Sequence, residues 1–255
     1  NNYLGLYLLV EKPTRGKNRV SFKKLKETNS NFSFLAKLSA QNKSFKTTKK
    51  TEIKYVYPKE KNMNLNQQQF IKKEISELES KIYSLKVNEN IDKLSDTVSL
   101  DSFINFIIIQ EVFKNIDAYR RSAYFYKKDN KFFKGPLWDF NIAAGNINFR
   151  GMQKTTGLVI EKKNFYFRNA FWFKKLWRNY YFRVKLRNKY LSLRATILSD
   201  KHLHSRIDLF AKNLEKRGNI DNSLWNSKIS IFENFFFKKK KNANTFKEHI
   251  KVLKS

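Results

Sequence analysis

The sequence predicts an α+β fold, with a few strands near the start of the chain and a mostly helical remainder. Short apolar, β-leaning runs occupy residues 3–10, 32–38 and 52–57. From residue 65 the apolar residues recur at helical spacing instead. A chain of 255 residues can bury a substantial core as one large domain or two small ones.

The first run, residues 3–10 (YLGLYLLV), predicts a buried strand that ends before Pro13. Proline lacks a backbone N–H and restricts the residue before it, so a strand seldom continues through it. Residues 14–31 predict a basic loop with a short element around residues 20–25. Residues 39–51 are rich in Lys, Ser, Thr and Asn and predict a solvated loop between the other two strands.

Helical periodicity is clear over residues 65–85, where apolar side chains share one face and glutamates lie on the other. Ser99 is the predicted N-cap of a very apolar helix that runs from Leu100 to about Lys114. A hairpin is predicted from residues 123–127 to 131–133, around Asp129 and Asn130. Asp139 is expected at the end of a short strand.

From residue 169 the pattern predicts four helices, at about 169–179, 181–198, 200–217 and 221–252. Their predicted core positions are Trp172, Leu176, Leu186, Leu191, Leu193, Ile197, Ile207, Leu214, Trp225, Ile229 and Phe232.

Composition excludes several kinds of chemistry. There is no cysteine, which rules out disulfides and thiolate sites, and three histidines make an all-histidine metal site a poor prediction. No apolar run is long enough to span a membrane.

The net charge is +31, and residues 151–255 carry 25 basic and 7 acidic side chains, a charge of +18. That charge fits a binder of nucleic acid or another anionic polymer, but no nucleic-acid-binding motif is evident and A/T-rich codon usage gives the same composition.

Two acidic residues, Asp117 and Asp139, stand out by their context. Asp117 follows the apolar helix in a polar loop, and Asp139 follows Trp138. A hairpin lies between them, and a hairpin returns the chain to where it began, so both carboxylates can face one cleft. Phosphoryl transfer needs this layout, with one carboxylate for the acceptor hydroxyl and another for a phosphate-bound metal. The alternative is that each aspartate only caps a local turn.

The order of residues also follows that of a protein-kinase site. A kinase catalytic loop has Asp, four residues and then Asn, and here Ser122 stands where that Asn would be. The kinase Asp-Phe-Gly motif reads Asp139, Phe140 and Asn141 in this chain.

Two segments resemble the spore coat protein H (CotH) kinase family, namely residues 115–126 (NIDAYRRSAYFY) and 135–146 (GPLWDFNIAAGN). Shorter matches occur in family order at residues 2–11, 15–20, 57–59 and 101–104. The Trp-Asp-Phe-Asn variant looks like the secreted or envelope-associated branch of Bacteroidetes-type bacteria.

The resemblance implies an atypical protein-kinase-like (Fam20C-like) fold. Residues 1–60 would be the remainder of a β-rich N-lobe and hinge, and residues 61–255 a helical C-lobe with its catalytic hairpin at 115–141. It further implies transfer of the ATP γ-phosphate to Ser of secreted, envelope or coat proteins. The protein is expected to be a monomer with no specific nucleic-acid partner, located outside the bacterial cytoplasm.

Carried over by position, Asp117 would be the catalytic acid, with Asp139 and Asn141 as ligands of a divalent metal (Mg²⁺, with Mn²⁺ or Ca²⁺ as alternatives). ATP would contact Glu11, Arg121 and Ser122. Ser122 and Asn141 replace an Asn and an acid found in many members, which favours a second hypothesis, a weak pseudokinase or structural envelope module. The chain begins with Asn1 and is expected to be a fragment, with the glycine-rich loop, the phosphate-pairing Lys and its Glu partner upstream.

Overall fold

The computed structural model of the chain describes residues 4–28, 30–39, 42–144, 156–161, 171–225 and 245–254. The chain divides into two compact units. The sheet unit comprises Lys12–Asn141 and Gly157–Asn188. The terminal unit comprises Asn1–Glu11, Ile142–Thr156 and Lys189–Ser255.

A five-stranded antiparallel sheet organises the sheet unit. Its strand order is β2-β3-β1-β4-β5, so strands from early in the chain pair with the later hairpin. The strands are β1 (Phe34–Leu38), β2 (Phe45–Lys46), β3 (Glu52–Tyr57), β4 (Ala123–Lys128) and β5 (Lys131–Lys134). Asp129 and Asn130 connect β4 to β5 with φ of 49° and 62°, the left-handed pair that a tight hairpin turn requires.

Helices are the other main type of element among the described residues. They are α1 (Leu65–Ser84), α2 (Leu100–Val112), α3 (Phe171–Arg178), α4 (Tyr180–Arg194), α5 (Asp200–Trp225) and α6 (Phe246–Lys254). Short 3₁₀ turns lie at Glu60–Asn62, Ile91–Leu94 and Val159–Glu161. In the terminal unit, α6 contacts α5 where Gly218 faces Phe246, and a Cβ at Gly218 would lie 2.7 Å from that ring.

One face of the sheet packs against the helices. Phe34 and Phe125 are buried on this face, and each contacts the ring of Phe132. Phe125 also contacts Trp172 of α3, with ring centroids 5.1 Å apart. The buried stripe of α1 consists of Ile71, Ile75, Leu78 and Ile82.

The opposite face is covered by the segment that precedes β1. Val20 and Phe22 of this segment form a buried cluster with Leu35 and Tyr124, and Trp138 packs against it. Neighbouring residues of a strand point to opposite faces, so Leu35 and Tyr124 lie on the side away from Phe34 and Phe125. Trp138 therefore brings the chain back onto this face immediately before Asp139.

The structure confirms the predicted α+β class. The strands predicted at 32–38 and 52–57, the helices at 65–85 and 100–114 and the hairpin are confirmed to within a few residues. The first two of the four predicted C-terminal helices appear as α3 and α4, and the third appears as α5. The break predicted after residue 217 is wrong, because α5 continues to Trp225 and includes the predicted start of the fourth helix. Of the fourth, the end is seen as α6, while residues 226–244 lie outside the described part.

The strand predicted at residues 3–10 is wrong for the part that the structure describes. Residues 4–10 adopt no regular secondary structure, and Leu8 and Leu9 are among the most exposed apolar residues of the chain. A strand forms only where a neighbour completes its hydrogen bonds. Among the described strands, none pairs with these residues.

Other local predictions are also corrected. Ser99 is the N-cap residue of α2, as predicted, but its side chain makes no capping hydrogen bond, and its backbone N–H donates to the carbonyl of Phe132. Asp139 does not end a strand, since its φ of 66° is incompatible with extended backbone. The predicted core positions Leu191, Ile197 and Leu214 are exposed, whereas Trp172 and Leu176 are buried.

Candidate functional site

The loop after α2 positions Asp117. Lys114 has a φ of 49° and ends the helix, and Asn115 is buried directly behind it. The side-chain oxygen of Asn115 accepts the backbone N–H of Asp117 at 3.2 Å. The carbonyl of Asp117 then accepts the backbone N–H groups of Arg120 and Arg121 at 3.1 and 3.0 Å. These bonds fix the backbone of Asp117 on both sides.

Two hydrogen bonds tie this loop to Asp139. Asn115 donates its Nδ2 to the backbone carbonyl of Asp139 at 3.1 Å. Ser122 donates its Oγ to the Oδ2 of Asp139, also at 3.1 Å. Asn115 and Ser122, which lie on either side of Asp117 in the chain, therefore hold Asp139 beside this loop.

Both partners of the Ser122–Asp139 hydrogen bond have unusual backbone conformations. Ser122 has a φ of 50° and Asp139 a φ of 66°. Residues other than glycine seldom adopt such angles, and those that do often lie in functional sites.

Electrostatic interactions link the two aspartates as well. Burial raises the pKa of Asp117 above its ordinary value, Arg120 and Arg121 oppose that rise, and the nearby charge of Asp139 adds to it. The guanidinium of Arg120 lies 4.0 Å from a carboxylate oxygen of Asp117. Asp139 therefore lies near enough to Asp117 for its charge to act on that carboxylate.

Lys37 is a neighbour of this site that the sequence analysis missed. It lies on β1 opposite Tyr124 of β4, and its Nζ is 5.4 Å from the centroid of the Tyr124 ring. Burial and the charges of Lys54 and Lys12 lower the pKa of Lys37, while Asp139 opposes that shift. The pKa of Tyr124 is raised, first by burial and then by Asp139. The sequence feature that could have identified Lys37 is its position as a single lysine within the apolar run FLAKL.

The other predicted site residues are less closely linked to Asp117 and Asp139. Arg121 interacts with Asp117 through charge, and its Nε is buried with no hydrogen-bond partner among the described residues. Asn141 is exposed two positions after Asp139. Glu11 is exposed and belongs to the terminal unit, so its role remains a prediction.

The donor atoms at the site suit a hard cation. Within the described residues, no group of three or more His, Cys, Asp or Glu side chains could form a protein-only metal cage. Mg²⁺ does not need one, because it is commonly held by one or two carboxylates together with substrate phosphates and water. Asp139, with oxygen atoms of Ser122, Asp117 or Asn141, is compatible with that mode of binding.

The sheet, the hairpin and the linked aspartates define an α+β protein with a candidate site at Asp117 and Asp139. Over residues 1–255 the chain matches the family model described as CotH kinase protein. The chain belongs to the CotH kinase family, and this membership indicates a kinase-like function. Comparison with curated proteins and with solved structures gives no match.

Proposed function

We propose that this chain is an atypical protein kinase domain that transfers the γ-phosphate of ATP to a serine of a secreted, envelope or coat protein. The observation that supports this most strongly is that Asn115 bonds to both Asp117 and Asp139, while Ser122 holds the Asp139 carboxylate. Family membership supports the same reaction class. No helix among the described residues has the length and hydropathy of a membrane span.

In this proposal Asp117 orients the acceptor. Its carboxylate accepts the hydrogen bond of the substrate serine hydroxyl, which attacks the γ-phosphorus. The new Oγ–P bond forms as the P–O bond to ADP breaks, and the hydroxyl proton leaves through Asp117 or the product phosphate. A positioned carboxylate of this kind contributes about 10²–10⁴-fold to rate.

Asp139 is the proposed metal ligand, with Asn141 as the second. Mg²⁺ is the expected ion, with Mn²⁺ and Ca²⁺ as alternatives. When bound, the ion would neutralise charge on the ATP phosphates. Ser122 keeps the Asp139 carboxylate oriented, and Arg121 and Glu11 are the other proposed nucleotide contacts. Residues 1–60 then belong to the N-lobe and hinge, and residues 61–255 to the C-lobe with the catalytic hairpin at 115–141.

The experiment compares wild type with Asp117→Asn and Asp139→Asn by calorimetric titration of ATP with Mg²⁺ and by phosphotransfer to dephosphorylated casein. Asparagine tolerates a positive φ, so it suits position 139 better than alanine. Asp139→Asn is expected to weaken Mg²⁺-dependent ATP binding at least tenfold. Asp117→Asn should keep ATP binding and lose phosphotransfer by about 10²–10⁴-fold.

Asp101→Asn is the matched control, because Asp101 is an exposed aspartate in the first turn of α2. It should behave as wild type in both assays. Equal ATP affinity for wild type and Asp139→Asn would overturn the proposal.

A second candidate function is a pseudokinase or structural module of an envelope or coat. It is favoured by Ser122 and Asn141, which are weaker metal ligands than the residues that many members have there. Wild-type protein that binds ATP without transferring phosphate to any protein would support this candidate over the first.

A further inference from the structure

Two lysines face each other on the sheet near the candidate site. Lys37 of β1 is directly opposite Lys54 of β3, and both are half-buried. Like charges at directly opposite positions destabilise a sheet. Within the described residues, neither lysine forms an ion pair with a carboxylate. The positive charges of Lys37 and Lys54 therefore lie side by side, and the side chains of the sheet do not neutralise them.

This pair lies beside Asp139. Lys37 is also opposite Tyr124, two residues beyond the Ser122 that holds the Asp139 carboxylate. Lys37 and Tyr124 both interact electrostatically with Asp139. Lys12, in the same unit, adds a third positive charge near Lys37. The charged groups that act on Lys37 are Lys54, Lys12 and Asp139, two positive and one negative.

The contact with Tyr124 does not explain the arrangement. A cation–π contact at a partly exposed site is weak, and it involves Lys37 only. It leaves the repulsion from Lys54 uncompensated. A bound anion with several charged oxygens would satisfy both ammonium groups at once, and lysine binds phosphate as a point charge.

We propose that Lys37 and Lys54 form a subsite for the polyphosphate of the nucleotide, next to Asp139. This inference rests on the proposed function for the identity of the anion. The subsite gives the enzyme a preference for triphosphate over an uncharged nucleoside, because both lysines contact phosphate rather than base or sugar.

The test uses three probes, namely ATP with Mg²⁺, adenosine, and inorganic tripolyphosphate without metal. Binding of each is measured by calorimetry for wild type, Lys37→Met, Lys37→Arg and Lys54→Met. Lys37→Met and Lys54→Met are expected to weaken ATP and tripolyphosphate binding about tenfold and to leave adenosine unchanged. Lys37→Arg should stay within about threefold of wild type, since it keeps the charge.

Lys46→Met is the matched control, because Lys46 lies on β2 of the same sheet and pairs with Glu52 instead. It should leave binding of all three probes unchanged. Circular dichroism and thermal melting check the fold of each variant. Both methionine variants are expected to fold, since either change removes a like-charge repulsion.

The outcomes separate the two proposals. Tripolyphosphate binding that depends on both lysines, in a wild-type protein that does not bind ATP, would overturn the kinase proposal and retain the anion subsite. ATP and tripolyphosphate affinities that do not change in either methionine variant would overturn the subsite and leave the kinase proposal intact. Loss of affinity in Lys46→Met equal to that in Lys37→Met would also overturn it, because the effect would then be general surface charge.

Discussion

Asp117 has a carboxylate that burial makes harder to ionise, which links its proposed role to a cost in stability. Its pKa is raised mainly by burial, and Asp139 adds to the rise against the opposing charges of Arg120 and Arg121. Between the ordinary carboxyl pKa, about 3.9, and the raised value, the folded state binds more protons than the unfolded state. Stability contributed by this group is therefore lost as pH rises through that window.

The first prediction follows from this loss of stability as pH rises. Without nucleotide or added metal, Asp117→Asn should be more stable than wild type at pH 7, because the variant has no charge to bury. The difference should shrink as pH falls below the raised pKa and vanish below about 3.9, where the wild-type carboxyl is neutral too. Urea denaturation of both proteins from pH 3 to pH 8 measures this difference in the free energy of unfolding. A difference that does not vary with pH would contradict the prediction.

Ser122 supplies a hydroxyl where the kinase pattern has an asparagine, and its φ of 50° accepts asparagine without new strain. We predict that Ser122→Asn raises Mg²⁺-dependent ATP affinity about threefold to tenfold, because an amide oxygen is the better ligand for a hard cation. Ser122→Ala, which loses the hydrogen bond to Asp139, should lower that affinity by a similar factor. Calorimetric titration compares both with wild type. Equal affinities in the two variants would show that position 122 does not act on the metal.

The sequence predicted the pairing of Asp117 and Asp139 because a hairpin is a local structure with a known geometry. It could not predict Lys37, since the opposition of Lys37 to Lys54 and Tyr124 depends on which strands are neighbours. Register between strands distant in the chain is set by the packing of the whole sheet, which one sequence does not specify.

At the scale of elements, α1 and α3 are joined by a buried polar contact. Trp172 of α3 donates its Nε1 to the Oε1 of Glu79 on α1 at 2.8 Å, and both residues are fully buried. The Oε2 of Glu79 is buried with no hydrogen-bond partner among the described residues. Glu79 was assigned from sequence to a solvated helix face, so its burial against Trp172 is a tertiary effect that overrides the local pattern.

We predict that Glu79→Ala destabilises the protein by about 2–4 kcal/mol, because it leaves the Trp172 N–H unsatisfied and opens a cavity. Glu79→Gln should stay within about 1 kcal/mol of wild type, since the amide oxygen still accepts the indole N–H. Chemical denaturation followed by Trp fluorescence measures both. A loss in Glu79→Gln as large as that in Glu79→Ala would show that the negative charge, rather than the hydrogen bond, is required.

Elements with a strong local signal agreed with the structure, whereas the strand predicted at residues 3–10 has no partner among the described strands. α1 has a regular apolar face and an N-terminal capping box between Asn64 and Gln67, so its limits follow from nearby residues. Residues 4–10 have an equally clear strand-like composition, but no described strand pairs with them. Helix α5 was found from its periodicity, whereas the exposure of Leu214 depends on what packs against α5 and was not predictable.

At the scale of the whole molecule, the excess of positive charge is the dominant electrostatic feature. The chain has 53 basic and 22 acidic side chains, so even complete pairing would leave a net charge of +31. Described ion pairs such as Lys185–Asp92, at 3.1 Å, are largely exposed. Exposed pairs contribute about 0–1 kcal/mol each, so they do not offset the long-range repulsion.

The last prediction is that salt stabilises this protein. Raising NaCl from about 0.01 to 0.1 M shortens the Debye length from about 30 to 10 Å, which screens repulsion between distant lysines. A gain of about 1 kcal/mol would raise Tm by about 2–4 °C in a chain of this size. KCl at equal concentration should give the same increase, because screening depends on ionic strength and not on the cation. A Tm that falls with either salt would mean that the surface ion pairs stabilise the fold by more than the net charge destabilises it.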